Sequence, residues 1–369
     1  MKKLLLLLLP AVLLTSNANS QMTTKNLTVG STSRTYLQYL PSGFDPQNES
    51  VSVLIGLHGL GSTMNDIPST GMNLIADTAR VICFYPQGAT NSWGQTAWNN
   101  GTILSSAVDD IGFINQLIDS AVLNYGADPS RVYVTGFSMG SIMTYHLACA
   151  LNDRIAAIGC MSGTMATSDI NSCVPVYKTP VIHFHGTADG TVPYNSSPLP
   201  SLSLVPQTLD FWKNVHSCDA AADSTQLTNT ASDNITVDRF VYDNCDPVAS
   251  LEHWRMNGAD HIYCYEPNND FDEIIEAWLF MRKWSHNNPA PAGIGEFDEL
   301  NITISPNPSS GAFTVESDKR YAYEILNPEG RVITAGTIVK GSNQIHLRDV
   351  ASGVYLFRAN NAMKRFVIK

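Results

Sequence analysis

Three things are scarce in this 369-residue chain. Charge is the first: 15% of residues are charged, and 22 Lys and Arg stand against 33 Asp and Glu, for a net charge of −11. A phosphate backbone demands a basic patch, so nucleic acid is excluded as a partner. Long apolar runs are the second. Beyond residue 20 no stretch reaches the roughly 18 apolar residues that a spanning helix needs, so no transmembrane segment is expected in the mature chain. Close metal-ligating pairs are the third. None of the 7 cysteines or 9 histidines forms a CxxC or HxxxH pair, and neither a metal nor another cofactor is expected.

The one concentrated apolar segment opens the chain. Met1-Lys2-Lys3 precedes an apolar run from Leu4 to Leu9, then Pro10, then a second run to Leu14. This pattern is expected to be a signal peptide over residues 1–20, with Ala18 and Ser20 as the small residues before the cut and Gln21 as the first mature residue. The protein is therefore expected to be secreted, extracellular or at the cell surface. Export permits disulfides, and an odd cysteine count leaves at least one thiol unpaired. Cys218 and Cys245 flank a Ser/Thr/Asn/Asp-rich stretch and are the pair expected to bridge.

Charge also divides the chain. Residues 21–298 carry 11 Lys and Arg against 27 Asp and Glu, whereas residues 299–369 carry 9 against 6. The patterning changes at the same place. From Val51 to Ser285, apolar runs such as "VSVLIGL", "VICFYP", "RVYVTG", "IAAIGCMSG" and "PVIHFHG" read as buried parallel strands. Amphipathic segments lie between them, notably Val108 to Leu123 and Phe271 to Trp284. The fold class expected is therefore α/β, with a mostly parallel sheet covered by helices over residues 21–285. Residues 286–298, "HNNPAPAGIGEFD", read as a linker. Residues 299–369 hold short strand-like runs separated by Gly, Pro and Asn, and predict a small all-β sandwich.

"RVYVTGFSMGSIMTYHLA" passes from strand-like to helix-like sequence with no loop between. Gly136-Phe137-Ser138-Met139-Gly140 fits a nucleophile elbow, in which a strained turn projects the serine hydroxyl above the sheet and glycines clear the space around it. A serine hydroxyl near neutral pH needs a base, and the base needs an orienting acid. Downstream, "HFHGTADGTVPY" places Asp189 after a buried strand, and "MNGADHIYCYE" places His261 ahead of the last helix. The chain order Ser, Asp, His is the one this elbow requires. His253 remains a rival base and Asp243 a rival acid. His183 and His185 read as core or turn residues, His146 rides the elbow helix, and His216 and His286 read as surface residues. Acyl transfer also needs two N–H donors for the oxyanion. The amide of Met139, next to the nucleophile, and that of Leu60, in "LHGLGS", are the candidates. Trp93 and Trp98 lie in a polar loop, where they either stack on a substrate ring or cap the core.

Together "LHGLGS", "DDIGFINQLIDS", "DPSRVYVTGFSMG", "HGTADGTVPY" and a last His before the final helix resemble the polyhydroxybutyrate depolymerase and feruloyl esterase group of secreted α/β-hydrolases, carbohydrate esterase family 1. The resemblance implies a triad of Ser138, Asp189 and His261 with oxyanion donors Leu60 and Met139. Two positions depart from the family's usual pattern: Ser141 stands where a second glycine is common, and Asp260-His261-Ile262-Tyr263 replaces Gly-His-x-Trp. "ISPNPSSGAFTVES", "YEILNPEGRVI", "GVYLFRA" and "KRFVIK" resemble the type IX secretion sorting domain, which implies the type IX secretion machinery as a partner. The expected activity is a secreted serine carboxylic-ester hydrolase acting on feruloyl or acetyl esters of plant polysaccharide. A polyester depolymerase is the alternative; a prolyl-oligopeptidase-type serine peptidase and a non-catalytic surface binding protein rank below it.

Overall fold

The computed structural model describes residues 21–196, 199–286, 302–326, 332–348, 350–351, 353–359 and 362–369. The expected signal peptide and most of the expected linker lie outside these residues. The chain forms two compact units that divide between Asn287 and Asn288.

The first unit is built on twelve strands: β1 (Met22–Val29), β2 (Thr32–Tyr39), β3 (Ser52–Leu57), β4 (Val81–Pro86), β5 (Ala89–Thr90), β6 (Thr96–Ala97), β7 (Val132–Phe137), β8 (Ala157–Met161), β9 (Val181–Gly186), β10 (Ala222–Gln226), β11 (Thr236–Tyr242) and β12 (Leu251–Asn257). Ten of them make one sheet in the order β1-β2-β4-β3-β7-β8-β9-β12-β11-β10, and β5 and β6 form a separate hairpin. From β4 to β12 every neighbouring pair is parallel, while both edges are antiparallel. The α/β class expected from the strand and helix alternation is what the chain adopts.

Successive residues of the central strands face opposite sides of the sheet. Val53, Ile55, Val132 and Val134 enter one core, with α2 (Asp110–Tyr125), α3 (Met139–Ala150) and α5 (Val205–His216) packed over it. Leu54, Tyr133, Cys83 and Tyr85 enter a second core under α1 (Met72–Ala79) and α6 (Glu273–Met281). A short helix, α4 (Thr167–Ser172), follows β8. Burial on both faces explains why these strands are continuous apolar runs rather than alternating ones. Asp109 stands just before α2, where its carboxylate accepts from the Gly112 amide. Both amphipathic segments therefore form helices, two residues later than expected for the first and shorter at both ends for the last.

Two local expectations are corrected, and the expected disulfide is joined by another. His216 is fully buried at the end of α5, where Nε2 bonds the Thr179 carbonyl at 2.9 Å and the ring lies against Trp212. His286 is half-buried against the Tyr177 ring. A second disulfide, Cys149–Cys173, accompanies the expected Cys218–Cys245, and Cys83, Cys160 and Cys264 are free and buried.

The second unit is a sandwich of two antiparallel sheets. One holds β13 (Ile302–Ser305), β14 (Ala312–Ser317) and β17 (Gly341–His346). The other holds β16 (Val332–Ile338), β15 (Tyr321–Leu326), β18 (Gly353–Ala359) and β19 (Ala362–Ile368). Phe313, Val315, Ile325, Phe357 and Phe366 fill the space between them. Among the described residues no helix is long and apolar enough to cross a membrane.

Burial fixes two opposite pH responses. Desolvation pushes His216 down from 6.5 to about 4, so below pH 6.5 the unfolded chain binds a proton that the folded chain refuses. Stability from this group is complete above pH 6.5 and falls as pH is lowered. Burial pushes the Glu273 carboxyl well above 4.5, so the folded chain keeps a proton that the unfolded chain releases, and stability falls as pH rises. In thermal unfolding followed from pH 4.5 to 8, His216→Gln should gain on the wild type as pH is lowered below 6.5. Glu273→Gln should gain on it as pH is raised above 4.5. Parallel curves for a variant and the wild type would contradict the corresponding assignment.

Candidate active site

Strand β7 runs into α3 through Ser138, whose φ of 56° and ψ of −121° lie in a region that side chains rarely adopt. What holds it there is crowding. A Cβ on Gly140 would overlap the Leu57 carbonyl, one on Gly136 would overlap the Gly140 carbonyl, and one on Gly163 would overlap the carbonyl of Ser138 itself. The Ser138 amide donates to Met161 O at 2.8 Å, and its carbonyl accepts from the amides of Ser141 and Ile142. Ser141, where the family commonly has glycine, is fully buried, and its hydroxyl donates to Gly163 O at 2.9 Å. The departure is thus matched locally: Ser141 fills the space that a Cβ on Gly163 would need.

Asp189 leaves the end of β9 in a tight turn and is 5% exposed. Its Oδ1 accepts from the amides of Thr191 and Val192 at 2.8 and 2.7 Å. Its Oδ2 lies 2.8 Å from His261 Nδ1 and 3.3 Å from His185 Nε2. Burial pushes this carboxyl up, but the donors from His185 and His261 and the Val192 amide outweigh it and hold the group below the usual carboxylate range.

His261 follows β12, the parallel neighbour of β9, so both loops leave the same end of the sheet. Its Nε2 lies 2.8 Å from Ser138 Oγ, and its ring packs on Phe137. Asp260, beside it, accepts from the amides of Gly190 and His261 through one oxygen at 2.9 and 2.7 Å. One carboxylate therefore ties the loop of Asp189 to the loop of His261. Ser138, His261 and Asp189, predicted from chain order, are brought together into one hydrogen-bonded line.

The rivals lie elsewhere. His253 is buried in β12, with Nδ1 on His183 O at 3.0 Å and Nε2 on Tyr194 Oη at 2.8 Å. Asp243 lies among Asp219 and Asp223, which raise its carboxyl after its own desolvation does.

The "HGLG" turn follows β3 and packs against the elbow, where a Cβ on Gly59 would meet Ser138 Cβ at 3.4 Å. His58 is buried and takes Gly88 N–H on Nε2 at 2.9 Å, which leaves Nδ1–H to donate to Gly59 O at 2.8 Å. Trp98 Nε1–H donates to His58 O at 2.8 Å, and the Gly61 amide donates to Thr96 O at 2.8 Å. Of the two tryptophans, Trp98 is therefore a buried support for this turn, and Trp93 is 57% exposed. Neither the Leu60 nor the Met139 amide donates to a partner among the described residues.

A cavity of about 360 Å³ opens beside Ser138 and His261. Its walls are mainly apolar: Leu60 from the turn after β3 and Phe137, Met139 and Ile142 from the elbow, with Ile103, Leu104, Val192 and Leu202 from the surrounding loops. Among the described residues no group of three or more His, Cys, Asp or Glu side chains is placed to hold a metal ion. Sequence reasoning did not find the contact of His185 with Asp189. The signal was present in the two-residue spacing of His183 and His185, which puts both on one face of β9.

Residues 44–201 match the phospholipase/carboxylesterase family, and residues 303–369 match the secretion system C-terminal sorting domain. A bifunctional acetylxylan esterase/xylanase of Neocallimastix patriciarum is 29% identical over 74% of this chain and 36% of its own length. Feruloyl esterase B of Piromyces equi is 29% identical over 60% of this chain and 41% of its own. Poly(3-hydroxyalkanoate) depolymerase C of Paucimonas lemoignei is 26% identical over 76% of this chain and 71% of its own. The chain thus spans well under half the length of the first two relatives. The motif-based resemblance to these ester hydrolases and to the sorting domain is borne out.

The crowding at the elbow makes a prediction. Ser141→Gly removes one buried hydrogen bond and should lower stability by about 1 kcal/mol, read from denaturant midpoints at constant slope. Gly163→Ala forces a Cβ into the Ser138 carbonyl and should lower it by several times as much. Equal losses for the two variants would contradict the packing described.

Proposed function

We propose that this chain is an exported serine carboxylic-ester hydrolase. The observation that carries the reading is the unbroken line from Asp189 through His261 to Ser138, opening on an apolar cavity. In this reading Ser138 Oγ–H donates to His261 Nε2. Attack on the ester carbonyl moves that proton to Nε2 while Asp189 stabilises the imidazolium through Nδ1–H. The carbonyl oxygen becomes an oxyanion and accepts from the amides of Met139 at the elbow and of Leu60, which lies in a turn that His58 and Trp98 fix in advance. Collapse breaks the ester C–O bond, and Nε2–H protonates the departing alcohol. Water then repeats the sequence on the acyl-enzyme, releasing the acid and restoring Ser138.

The substrates we favour are acyl esters with a sizeable apolar acid. An acetyl group fills a small part of a 360 Å³ cavity, whereas a feruloyl group presents a flat apolar body to Phe137, Ile142 and Val192. Feruloyl esters of plant polysaccharide are therefore preferred over acetyl esters. Ile103 and Leu199, which line the cavity, are 58% and 38% exposed, as suits a polymer-borne ester approaching from outside. A polyester such as polyhydroxybutyrate is the second reading, favoured by a depolymerase relative whose match spans most of both chains. The sorting-domain match supports delivery through the type IX secretion machinery to the cell surface or medium.

Ser138→Ala, Asp189→Ala and His261→Ala should each lower kcat on the order of 10⁴- to 10⁶-fold. A fluorophosphonate probe should label the wild type and spare the Ser138 variant. An unlabelled wild type, or a Ser138→Ala enzyme with ordinary turnover, refutes the reading. Rates on methyl ferulate, acetylated xylan, p-nitrophenyl esters and polyhydroxybutyrate then rank the substrates, and a preference for acetyl esters would overturn the pocket argument.

A further inference from the structure

The acid of the proposed triad is joined to a second line of buried groups running away from the substrate. His185 Nε2 faces two acceptors, Val192 O at 2.8 Å and Asp189 Oδ2 at 3.3 Å, so this nitrogen carries the proton. Its Nδ1 lies 3.3 Å from His183 Nε2, and His183 Nδ1 lies 2.8 Å from Tyr145 Oη. Tyr145, His183 and His185 are all fully buried, and the two imidazoles stack with centroids 5.3 Å apart. A neutral His185 needs a donor at Nδ1, which His183 Nε2–H supplies. A neutral His183 then needs one at Nδ1, which the Tyr145 hydroxyl supplies. His253 completes the cluster without competing, since its Nδ1–H is spent on His183 O and its Nε2 takes the Tyr194 hydroxyl. With both imidazoles neutral, every hydrogen of the line points the same way, from Tyr145 toward Asp189.

We propose that His185 is a positioning residue for the ester hydrolysis, holding the Asp189 carboxylate and the Val192 carbonyl with one N–H whose tautomer is fixed by His183 and Tyr145. The inference rests on the triad reading above. With the donor in place, all four hydrogen-bonding directions of the carboxylate are filled: the amides of Thr191 and Val192 on one oxygen, His261 and His185 on the other. The carboxylate cannot rotate away from His261 Nδ1. The line also places no positive charge next to Asp189, so the carboxylate remains available to the charge that develops on His261 during attack. Val192 adds a link to the substrate side, because it lines the acyl cavity and packs with Ile142 and Leu202 while its own backbone is clamped at both N–H and C=O.

Nitrogen-15 NMR of histidine-labelled full chain tests the proton order. It should show His183 and His185 as Nε2–H tautomers and His253 as Nδ1–H; His185 protonated on Nδ1, alone or on both nitrogens, overturns the inference. Kinetics test its use. His185→Leu should lower kcat about tenfold to a hundredfold, the worth of one hydrogen bond to a charged group. His185→Gln, whose amide N–H reaches toward the same acceptors, should recover most of that loss. A His185→Leu enzyme with wild-type kcat overturns the inference. So does failure of Gln to recover anything although it folds. If His185→Leu does not fold, Tyr145→Phe removes only the terminal O–H; it should mix the His183 and His185 tautomers and lower kcat severalfold, and no change in either overturns the inference. Ser138→Ala separates the two levels: if it retains turnover the triad reading fails, and if it is inactive while the His185 variants behave as wild type only this inference fails.

Discussion

At Ser138 the chain reverses from strand to helix in one residue, and the backbone there is held at φ 56° by the absence of room for anything else. Three glycines surround it, and at each a side chain would run into a carbonyl of the elbow or of β3. Much else at this end of the sheet follows from that crowding. The hydroxyl is lifted toward the loops that leave β9 and β12, the Met139 and Gly140 amides at the start of α3 donate to no partner among the described residues, and the turn after β3 is pressed against Ser138. The strain is distributed, since two carbonyls at the neighbouring strand end hold the turn: Met161 O accepts from the Ser138 amide and Gly163 O from the Ser141 hydroxyl.

The second layer of order is polar and buried. Asp189 keeps its carboxylate inside the protein because four donors meet it, and Asp260 keeps the two loops together with one oxygen shared by two amides. His58 plays a similar part for the turn after β3, with one nitrogen accepting and the other donating. In each case a side chain with a fixed proton arrangement stands in for the water that an exposed loop would use. The groups assigned to the proposed reaction are thereby arranged before any substrate arrives, which is what electrostatic preorganisation requires.

The central parallel strands were legible because burial on two faces writes a continuous apolar run, and the same rule explains what was not. β12 is strand-like in "SLEHWRM" although Glu252, His253 and Arg255 break the apolar run, and what stayed unread there is that in the fold these find Arg239, Tyr194 and Asp238. The antiparallel edge strands β1 and β10 show too few apolar residues to stand out. In the site, Ser138, Asp189 and His261 could be named because the fold imposes their chain order, and the β3 turn because its glycines mark close approach. His185, His183 and His216 looked like bystanders. A lone histidine in a strand or at a helix end says nothing of its partners, and here those partners lie on β9, α3, the Asp189 turn and, for His216, the segment before β9, which only the folded chain brings together. Trp98 was open between stacking and support, and the bond to His58 O, 40 residues away, decides it.

The proposed reacting groups and the cavity walls come from different kinds of chain segment. Ser138, Asp189 and His261 stand just past the ends of β7, β9 and β12, whereas Ile103, Leu104 and Leu202 belong to loops with no regular structure of their own. For the proposed reaction, drift in those loops would retune which acyl group is accepted while the chemistry stays as it was, an arrangement that would let one scaffold spread across many esters. Val192 is the exception. It contributes a wall to the cavity and a backbone clamp to Asp189, so it is the position at which a lineage exploring new substrates would meet resistance from its own turnover.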